Sequence, residues 1–343
     1  MFTHCFVCHA PFPVGTLVEH FPLGRRIAYD PERGRLWAVC DACSGWTLAP
    51  FEGRWEALEE LEKIVTTRGA RGARLAGKTD NIALFKVGRS EVIRVGATDL
   101  IEEAAWRYGR AAPIAAGANG PNPFAARRLS LGEWLLGNAY LVRSGLSGKH
   151  RGTRRGDLRR WVRFGDVAWR GNRGCKVCGE TIEELSFFQC RTFILRDAGE
   201  DSLTPSLVRA CPRCRDEEEG GLHLEGTSAE FVLRRMLARQ QINGNPPGHL
   251  RAAAHLIEMG GGAAGLGSIL AKYGRYLSDL PITSAVALRV LANDAHEQRL
   301  LTLEAAAVER QWQQEEELAS IIDGDLTDIP NIEKMRIELR GAF

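Results

Sequence analysis

The chain has 343 residues, of which 44% are hydrophobic and 26% charged, with a formal net charge of +2 at pH 7. That balance excludes a disordered polyelectrolyte, and the length supports two or three domains with a real core. No uninterrupted apolar run is long enough for a spanning helix, and Met1 to Cys5 lacks the basic start of a secretory signal, so a cytoplasmic protein without a transmembrane segment is expected.

The first element is a Cys-x-x-Cys pair, Cys5/Cys8, followed 31 residues later by a second, Cys40/Cys43. Between them Arg26 to Tyr29 reads as a strand, Asp30 to Gly34 as a turn and Leu36 to Val39 as the returning strand that delivers Cys40. In a reducing compartment, closely spaced cysteines are metal ligands before they are disulfides. Two such pairs supply four thiolates to one tetrahedral site, an S₄ shell that suits zinc. The arrangement resembles a zinc ribbon. Such ribbons occur in many unrelated proteins, so the resemblance implies a fold and no particular activity. The pattern Cys5-x-x-Cys8-His9 also matches c-type haem attachment, but that leaves Cys40 and Cys43 unexplained.

Next, Trp55 to Thr67 carries Leu58, Leu61, Ile64 and Val65 at helical spacing. The string Gly72-Ala-Arg-Leu-Ala-Gly-Lys78-Thr79 fits the phosphate-binding pattern G-x₄-G-K-[ST], which would make Lys78 the centre of a nucleotide hydrolase. A phosphate loop follows a strand and opens a helix. Here a helical pattern precedes and a strand run, Asn81 to Val87, follows, so a basic loop ahead of a hairpin over 73–95 is expected instead. Asp99 or Thr98 caps a helix to Tyr108, with Ile101, Ala105 and Trp106 packing on the hairpin. Residues 111–125 are rich in Ala, Gly, Asn and Pro and read as a linker. A short helix from Ser130 to Leu136 and a short strand from Tyr140 to Arg143 are expected after it.

The stretch from Arg143 to Lys176 then holds eleven Arg or Lys and two Asp. Its first part has no periodicity; its second interleaves arginines with Trp161, Phe164 and Trp169. Arginine meets phosphate and aromatic rings stack on bases, so Arg151, Arg154, Arg155, Arg159, Arg160, Trp161, Arg163, Arg170 and Arg173 are the candidate nucleic-acid-binding set. The same charges also fit an acidic protein surface, with the aromatics turned into the core.

Cys175/Cys178 and Cys211/Cys214 repeat the N-terminal pattern with 32 residues between the pairs. Equal spacing predicts local pairing: one zinc on Cys5, Cys8, Cys40 and Cys43, a second on Cys175, Cys178, Cys211 and Cys214. Phe187 to Leu195 reads as a strand with Cys190 on one face as a small buried hydrophobe. Cys211-Pro-Arg-Cys214 lacks the helix start that a redox pair needs. His20 and His223 lack the partner spacing of a hydrolytic metal site.

The rest is helical in pattern. A helix from Phe231 to Gln240 has Thr227 or Ser228 as its cap, and Leu250 to Met259 makes another. The glycine-rich run 260–267 follows a helix rather than a strand, so it reads as a close-packed helix connection and not as a dinucleotide loop. A long helix starts after Pro281 and reaches about Ile322 without a regular heptad. From Asp294 to Arg340 the chain holds twelve acidic and five basic residues.

The expected fold is α+β. Two Cys₄ zinc ribbons (1–50 and 175–222) join a small helix and hairpin region (51–142) and the basic segment (143–174), with a helical region over 226–343. No group of residues adds up to a catalytic site, and the reading leans away from an enzyme. The expected function is assembly or adaptor work through protein contacts, with nucleic-acid binding as the alternative.

Overall fold

The computed structural model describes residues 3–51, 54–67, 72–110, 129–146, 155–197, 204–272 and 276–327, without the side chains of 140–146, 155–157, 263–264 and 320–327. The linker expected over 111–125, Arg151 and Arg154 lie outside the described residues. The chain divides into two units, Met1–His296 and Glu297–Phe343.

In the first unit, β1 (Arg26–Asp30) and β2 (Arg35–Val39) form the predicted hairpin, and β3 (Trp46–Leu48) extends it. The hairpin turns at Gly34, which adopts φ +61° beneath the ring of Trp55. After α1 (Arg54–Thr66), strands β4 (Arg74–Lys78), β5 (Ile82–Val87) and β6 (Ser90–Val95) form an antiparallel meander. Strand β6 pairs in parallel with β1, giving one six-stranded sheet in the order β3-β2-β1-β6-β5-β4. The sheet therefore runs across the boundary between 1–50 and 51–142.

Helix α1 buries Leu58 and Leu61 but leaves Trp55 on the surface. Glu62 on α1 accepts from Tyr29 Oη at 2.6 Å and from Arg94 Nη2 at 3.0 Å, which pins the helix to β1 and β6. Helix α2 (Leu100–Tyr108) is capped by Asp99, whose carboxylate accepts from Glu102 N at 2.6 Å. It packs through Trp106 and Ala105, whereas Ile101 stays on the solvent side. Its Arg107 guanidinium lies 5.0 Å from the ring centre of Trp37 and 4.7 Å from that of Trp46. A desolvated cation over two indoles, with Glu103 at 2.9 Å as its counter-charge, makes a buried polar clasp between α2 and the sheet.

Helix α3 (Leu131–Leu146) runs through the stretch from Tyr140 to Arg143 that the sequence suggests as a strand. The capping box of Ser130 and Glu133 starts it, and helical propagation overrides the β-leaning of Tyr140-Leu-Val. Helix α4 (Arg155–Phe164) lies against it. Gly137 permits this, because a Cβ there would sit 2.3 Å from Leu158.

Strands β7 (Val167–Gly174) and β8 (Thr181–Ser186) form a hairpin. The expected strand from Phe187 is interrupted: α5 (Phe187–Cys190) is a helical turn closed by a capping box between Ser186 and Gln189, and β9 (Ile194–Arg196) begins only after it. Strands β10 (Ser206–Arg209) and β11 (Leu222–Leu224) complete a small sheet in the order β11-β10-β9.

Helix α6 (Gly226–Gln240) is preceded by Glu225 without a side-chain cap, two or three residues earlier than Thr227 or Ser228 suggested. Helices α7 (Pro247–Met259) and α8 (Ala263–Lys272) meet at the glycine run. There a Cβ on Gly265 would come within 1.7 Å of the Gly260 carbonyl oxygen, so only glycine allows the contact. A short 3₁₀ turn (Leu277–Asp279) leads into α9 (Ile282–Thr327), whose residues up to His296 belong to this unit. One continuous cluster of buried side chains reaches from Cys5 to Ala292, with Val232, Leu233 and Met236 of α6 among its members.

The described residues of the second unit, taken by itself, are the remainder of α9. Its side chains over 297–319 include Leu303, Trp312 and Leu318, which are 59%, 66% and 59% exposed. Among the described residues no helix is long and apolar enough to cross a membrane.

Candidate metal centres

All four Cys-x-x-Cys segments fold into the same turn. The N–H of the residue after the second cysteine donates to the carbonyl of the first: His9 to Cys5 at 2.9 Å, Ser44 to Cys40 at 2.8 Å, Gly179 to Cys175 at 2.9 Å and Arg215 to Cys211 at 3.0 Å. The N–H of the first cysteine in turn donates to the carbonyl one residue further on, Ala10, Gly45, Glu180 and Asp216, at 2.8 to 2.9 Å. Closing this loop requires a left-handed residue at the same place each time, and His9, Ser44, Gly179 and Arg215 have φ of 60°, 58°, 72° and 66°. Three of these are not glycine. A non-glycine residue held there is a strained choice that the two flanking hydrogen bonds stabilise.

Within each turn, N–H groups point at sulfur: Val7 N at 3.4 Å from Cys5 Sγ, Gly45 N at 3.3 Å from Cys43 Sγ, and Cys178 N at 3.4 Å from Cys175 Sγ. Such donors stabilise thiolate over thiol, the form that binds a metal.

Three of these turns are hairpin loops: Cys40/Cys43 joins β2 to β3, Cys175/Cys178 joins β7 to β8, and Cys211/Cys214 lies between β10 and β11. Pairing is local, as the spacing predicts. Cys5 Sγ lies 3.7 Å from Cys43 Sγ and Cys8 Sγ 3.6 Å from Cys40 Sγ. In the second group Cys175 Sγ lies 3.6 Å from Cys214 Sγ, and Cys178 Sγ 3.6 Å from Cys211 Sγ. All four sulfurs in each group lie within 4.8 Å of one another, which positions each group to hold a metal ion.

Crowding four thiols splits their acidities. Hydrogen bonds from Cys40, Cys43 and Cys8 hold Cys5 well below the ordinary thiol value, while bonding to Cys40 pushes Cys43 up. In the second group the backbone N–H of Cys214 leads in holding Cys211 down, at about 6.

The two groups differ in their surroundings. Cys5, Cys8, Cys40 and Cys43 are all buried, whereas Cys178 and Cys214 are partly exposed. Beside the first group lies a buried cation, Arg235 of α6, whose guanidinium donates to Val7 O at 3.2 Å, Phe164 O at 3.2 Å and Val167 O at 3.1 Å. The rings of Phe187 and Phe231 flank it at 5.5 and 5.6 Å. Nothing in the sequence around Arg235 marks it as special. Its position near the end of an apolar helix face, amid the run Val232 to Ala238, is the one signal it leaves.

The ninth cysteine, Cys190, is fully buried and belongs to neither group; burial pushes its thiol up to about 12. It sits on the helical turn α5 rather than on a strand.

The basic set is divided. Arg159 Nη1 donates to Asn243 Oδ1 at 3.0 Å, Arg160 Nη2 to the Gln240 carbonyl at 3.4 Å, and Arg163 Nη1 to Glu133 Oε1 at 2.7 Å. These three, with Trp161, are half-buried and tie α4 to α6 and α3. Phe164 and Trp169 are buried in the core. Arg170 and Arg173, on β7, are exposed. Arg155 lies at the start of α4, with its side chain outside the description.

The 72–79 string forms strand β4, so Lys78 lies on a strand and not at a helix start. The Thr79 hydroxyl donates to Glu102 and accepts from Trp106 Nε1, the latter at 2.9 Å, which commits it to the structure. His20 faces Glu60 at 3.6 Å, and His223 Nε2 lies 2.9 Å from the Glu217 carbonyl. Neither histidine belongs to a metal-holding group among the described residues.

No protein-family model, no curated protein and no solved structure matches the chain.

Proposed function

We propose that this chain is a zinc-stabilised assembly or adaptor protein of the cytoplasm that acts through protein–protein contacts in a macromolecular complex. The observation that carries the reading is the pair of closed thiolate sites. Four cysteines saturate a tetrahedral ion, so zinc there has no position left for substrate or water and serves the fold. Zinc suits the donor set because soft thiolates in tetrahedral array select it over hard cations. The second unit supplies the contact surface, through Leu303, Trp312 and Leu318 set among acidic residues. Aromatic and leucine side chains left exposed on a helix are the usual anchors of a helix that lies in a partner's groove.

Nucleic-acid binding is the second reading. Arg170 and Arg173 support it, exposed on the strand that leads into the Cys175/Cys178 turn, but Arg159, Arg160 and Arg163 are half-buried and hydrogen-bonded within the protein. The nucleotide-hydrolase reading at 72–79 has no geometric support.

The test compares full-length wild type with the L303E/W312E/L318E variant in cross-linking and affinity capture from the native host. It is run alongside fluorescence anisotropy with labelled DNA and RNA across a salt series. The adaptor reading expects a defined protein partner that the variant loses, with no nucleic-acid binding. Binding that weakens steeply with salt and is lost when Arg170 and Arg173 become Gln would replace it with the second reading.

A further inference from the structure

A cleft of about 560 Å³ opens between α4, α5, α6 and the starts of α7 and α9. Its wall carries Arg110, Arg160, Arg191, Arg239 and His249, and no Asp or Glu among the described residues lines it. This is unusual in a chain whose acidic and basic residues nearly balance. Four guanidinium groups around one space repel one another unless something negative sits between them.

The arginines are held in different ways. The Arg239 guanidinium lies over the ring of Phe187 at 4.5 Å, and Arg160 is braced on the Gln240 carbonyl. The side chains of Arg110 and Arg191 are exposed, and neither has an ion-pair or hydrogen-bond partner among the described residues.

Two further features point the same way. Helix α7 begins at Pro247 with no side-chain cap, and neither α7 nor α9, which begins at Ile282, has an acidic residue in its first turn. Pro246, His249, Ile282 and Ala285, all at these helix starts, line the cleft. Each helix start brings the positive end of a dipole, although at α7 the His249 N–H is already committed to the Pro246 carbonyl at 3.0 Å. In addition, His249 Nδ1 and Gln241 Nε2 are buried in the wall without a hydrogen-bond partner among the described residues.

We propose that this cleft binds a phosphate-bearing small molecule of nucleotide size. Several negative charges close together match four arginines, whereas one carboxylate would engage a single fork. The volume falls within the range of small-molecule sites. Met236 and Leu280 add apolar surface to the wall, with the amides of Gln240 and Asn243 beside it. The site is separate from the 72–79 string and from both thiolate groups. It stands or falls apart from the adaptor reading, because the residues tested lie outside the second unit.

The experiment is calorimetric titration of the metal-loaded full chain at low salt with ATP, tripolyphosphate and a 5′-phosphorylated oligonucleotide, for wild type, R110Q and R191Q. Both substitutions replace exposed, unpartnered side chains, and unchanged melting temperatures check that the fold is intact. The expected result is one ATP per chain, bound more tightly than tripolyphosphate, with affinity falling about tenfold in each variant and falling further as salt rises. The absence of ATP binding, or binding that both variants leave unchanged, would overturn the proposal. Binding of the oligonucleotide alone would overturn it too, by making the cleft part of a nucleic-acid surface.

Discussion

The guanidinium of Arg235 reaches the carbonyl oxygen of Val7, inside the first Cys-x-x-Cys turn, across 228 residues of sequence. The same group holds Phe164 and Val167, the residues on either side of the connection from α4 to β7. A single buried cation thus fixes the first thiolate site, the basic helix and the strand that leads to the second site. Four thiolates around a divalent ion carry a net negative charge, and Arg235 places a positive one beside it.

Replacing Arg235 by Ala leaves three carbonyls without their donor. The expected loss of stability is roughly 3 kcal/mol or more, since each orphaned buried acceptor costs about 1–3 kcal/mol. Arg235→Lys fails nearly as badly, because a compact ammonium cannot span three acceptors set as a fork. Urea denaturation of the metal-loaded proteins measures both. Midpoints equal to wild type would show that the carbonyls find other donors.

Gly220 lies against the second thiolate group, where an added Cβ would sit 2.7 Å from Cys175 Sγ. Gly45 makes a looser approach to the first, at 3.1 Å from Cys43 Sγ. Gly220→Ala is therefore expected to weaken metal at the second site while leaving the first intact, and Gly45→Ala to have the smaller effect. Cobalt substitution followed by chelator titration reads each site through its thiolate charge-transfer bands. Equal retention of both ions in Gly220→Ala would contradict this.

The two groups also predict an order of metal release. Cys178 and Cys214 are partly exposed, while every cysteine of the first group is buried. Under a chelator the second site empties first, as a separate kinetic phase carrying half of the metal. That phase disappears in Cys211→Ser. A single phase for both ions would show that the burial difference does not control access.

Two carboxylates set an acid limit on stability independent of the thiolates. Burial would raise Glu102, but hydrogen bonds from Thr79, Asn81 and Thr98 outweigh it and hold its pKa below 4.5. Glu62 is likewise held below 4.5, against burial, by Arg94 and Tyr29. A depressed carboxylate contributes stability that is present above its unfolded value and lost as pH falls through the lower folded value. Glu102→Gln is thus expected to cost stability near neutral pH and progressively less as pH falls below the ordinary carboxylate range. Its urea midpoint should approach that of wild type as the acid is reached. A constant gap across this range would remove the electrostatic explanation.

Much of the metal chemistry is legible in the sequence, because Cys-x-x-Cys spacing is local and its repetition is countable. The hairpin before Cys40, the Asp99 cap and the glycine contact between α7 and α8 are legible for the same reason: each depends on a few adjacent residues. What the sequence hides is non-local. The parallel pairing of β1 with β6 joins segments some sixty residues apart and leaves no periodic mark. Arg159, Arg160 and Arg163 read as a free basic face, because Glu133, Gln240 and Asn243, which occupy them, are remote in sequence. Tyr140 to Arg143 has strand-like residues, but it continues a helix already nucleated at Ser130 and packed on α4 through Gly137. Phe187 to Cys190 alternates like a strand, yet the local capping box of Ser186 and Gln189 turns it into a helix.

The most direct test is the metal content of the intact chain, by elemental analysis and native mass spectrometry, for wild type, Cys40→Ser and Cys211→Ser. Two closed thiolate sites predict two zinc ions per chain in wild type and one in each variant. The ion that remains should be bound by Cys175, Cys178, Cys211 and Cys214 in Cys40→Ser, and by Cys5, Cys8, Cys40 and Cys43 in Cys211→Ser. Two ions retained in either variant, or a wild type that binds no zinc when refolded with it, would contradict the account.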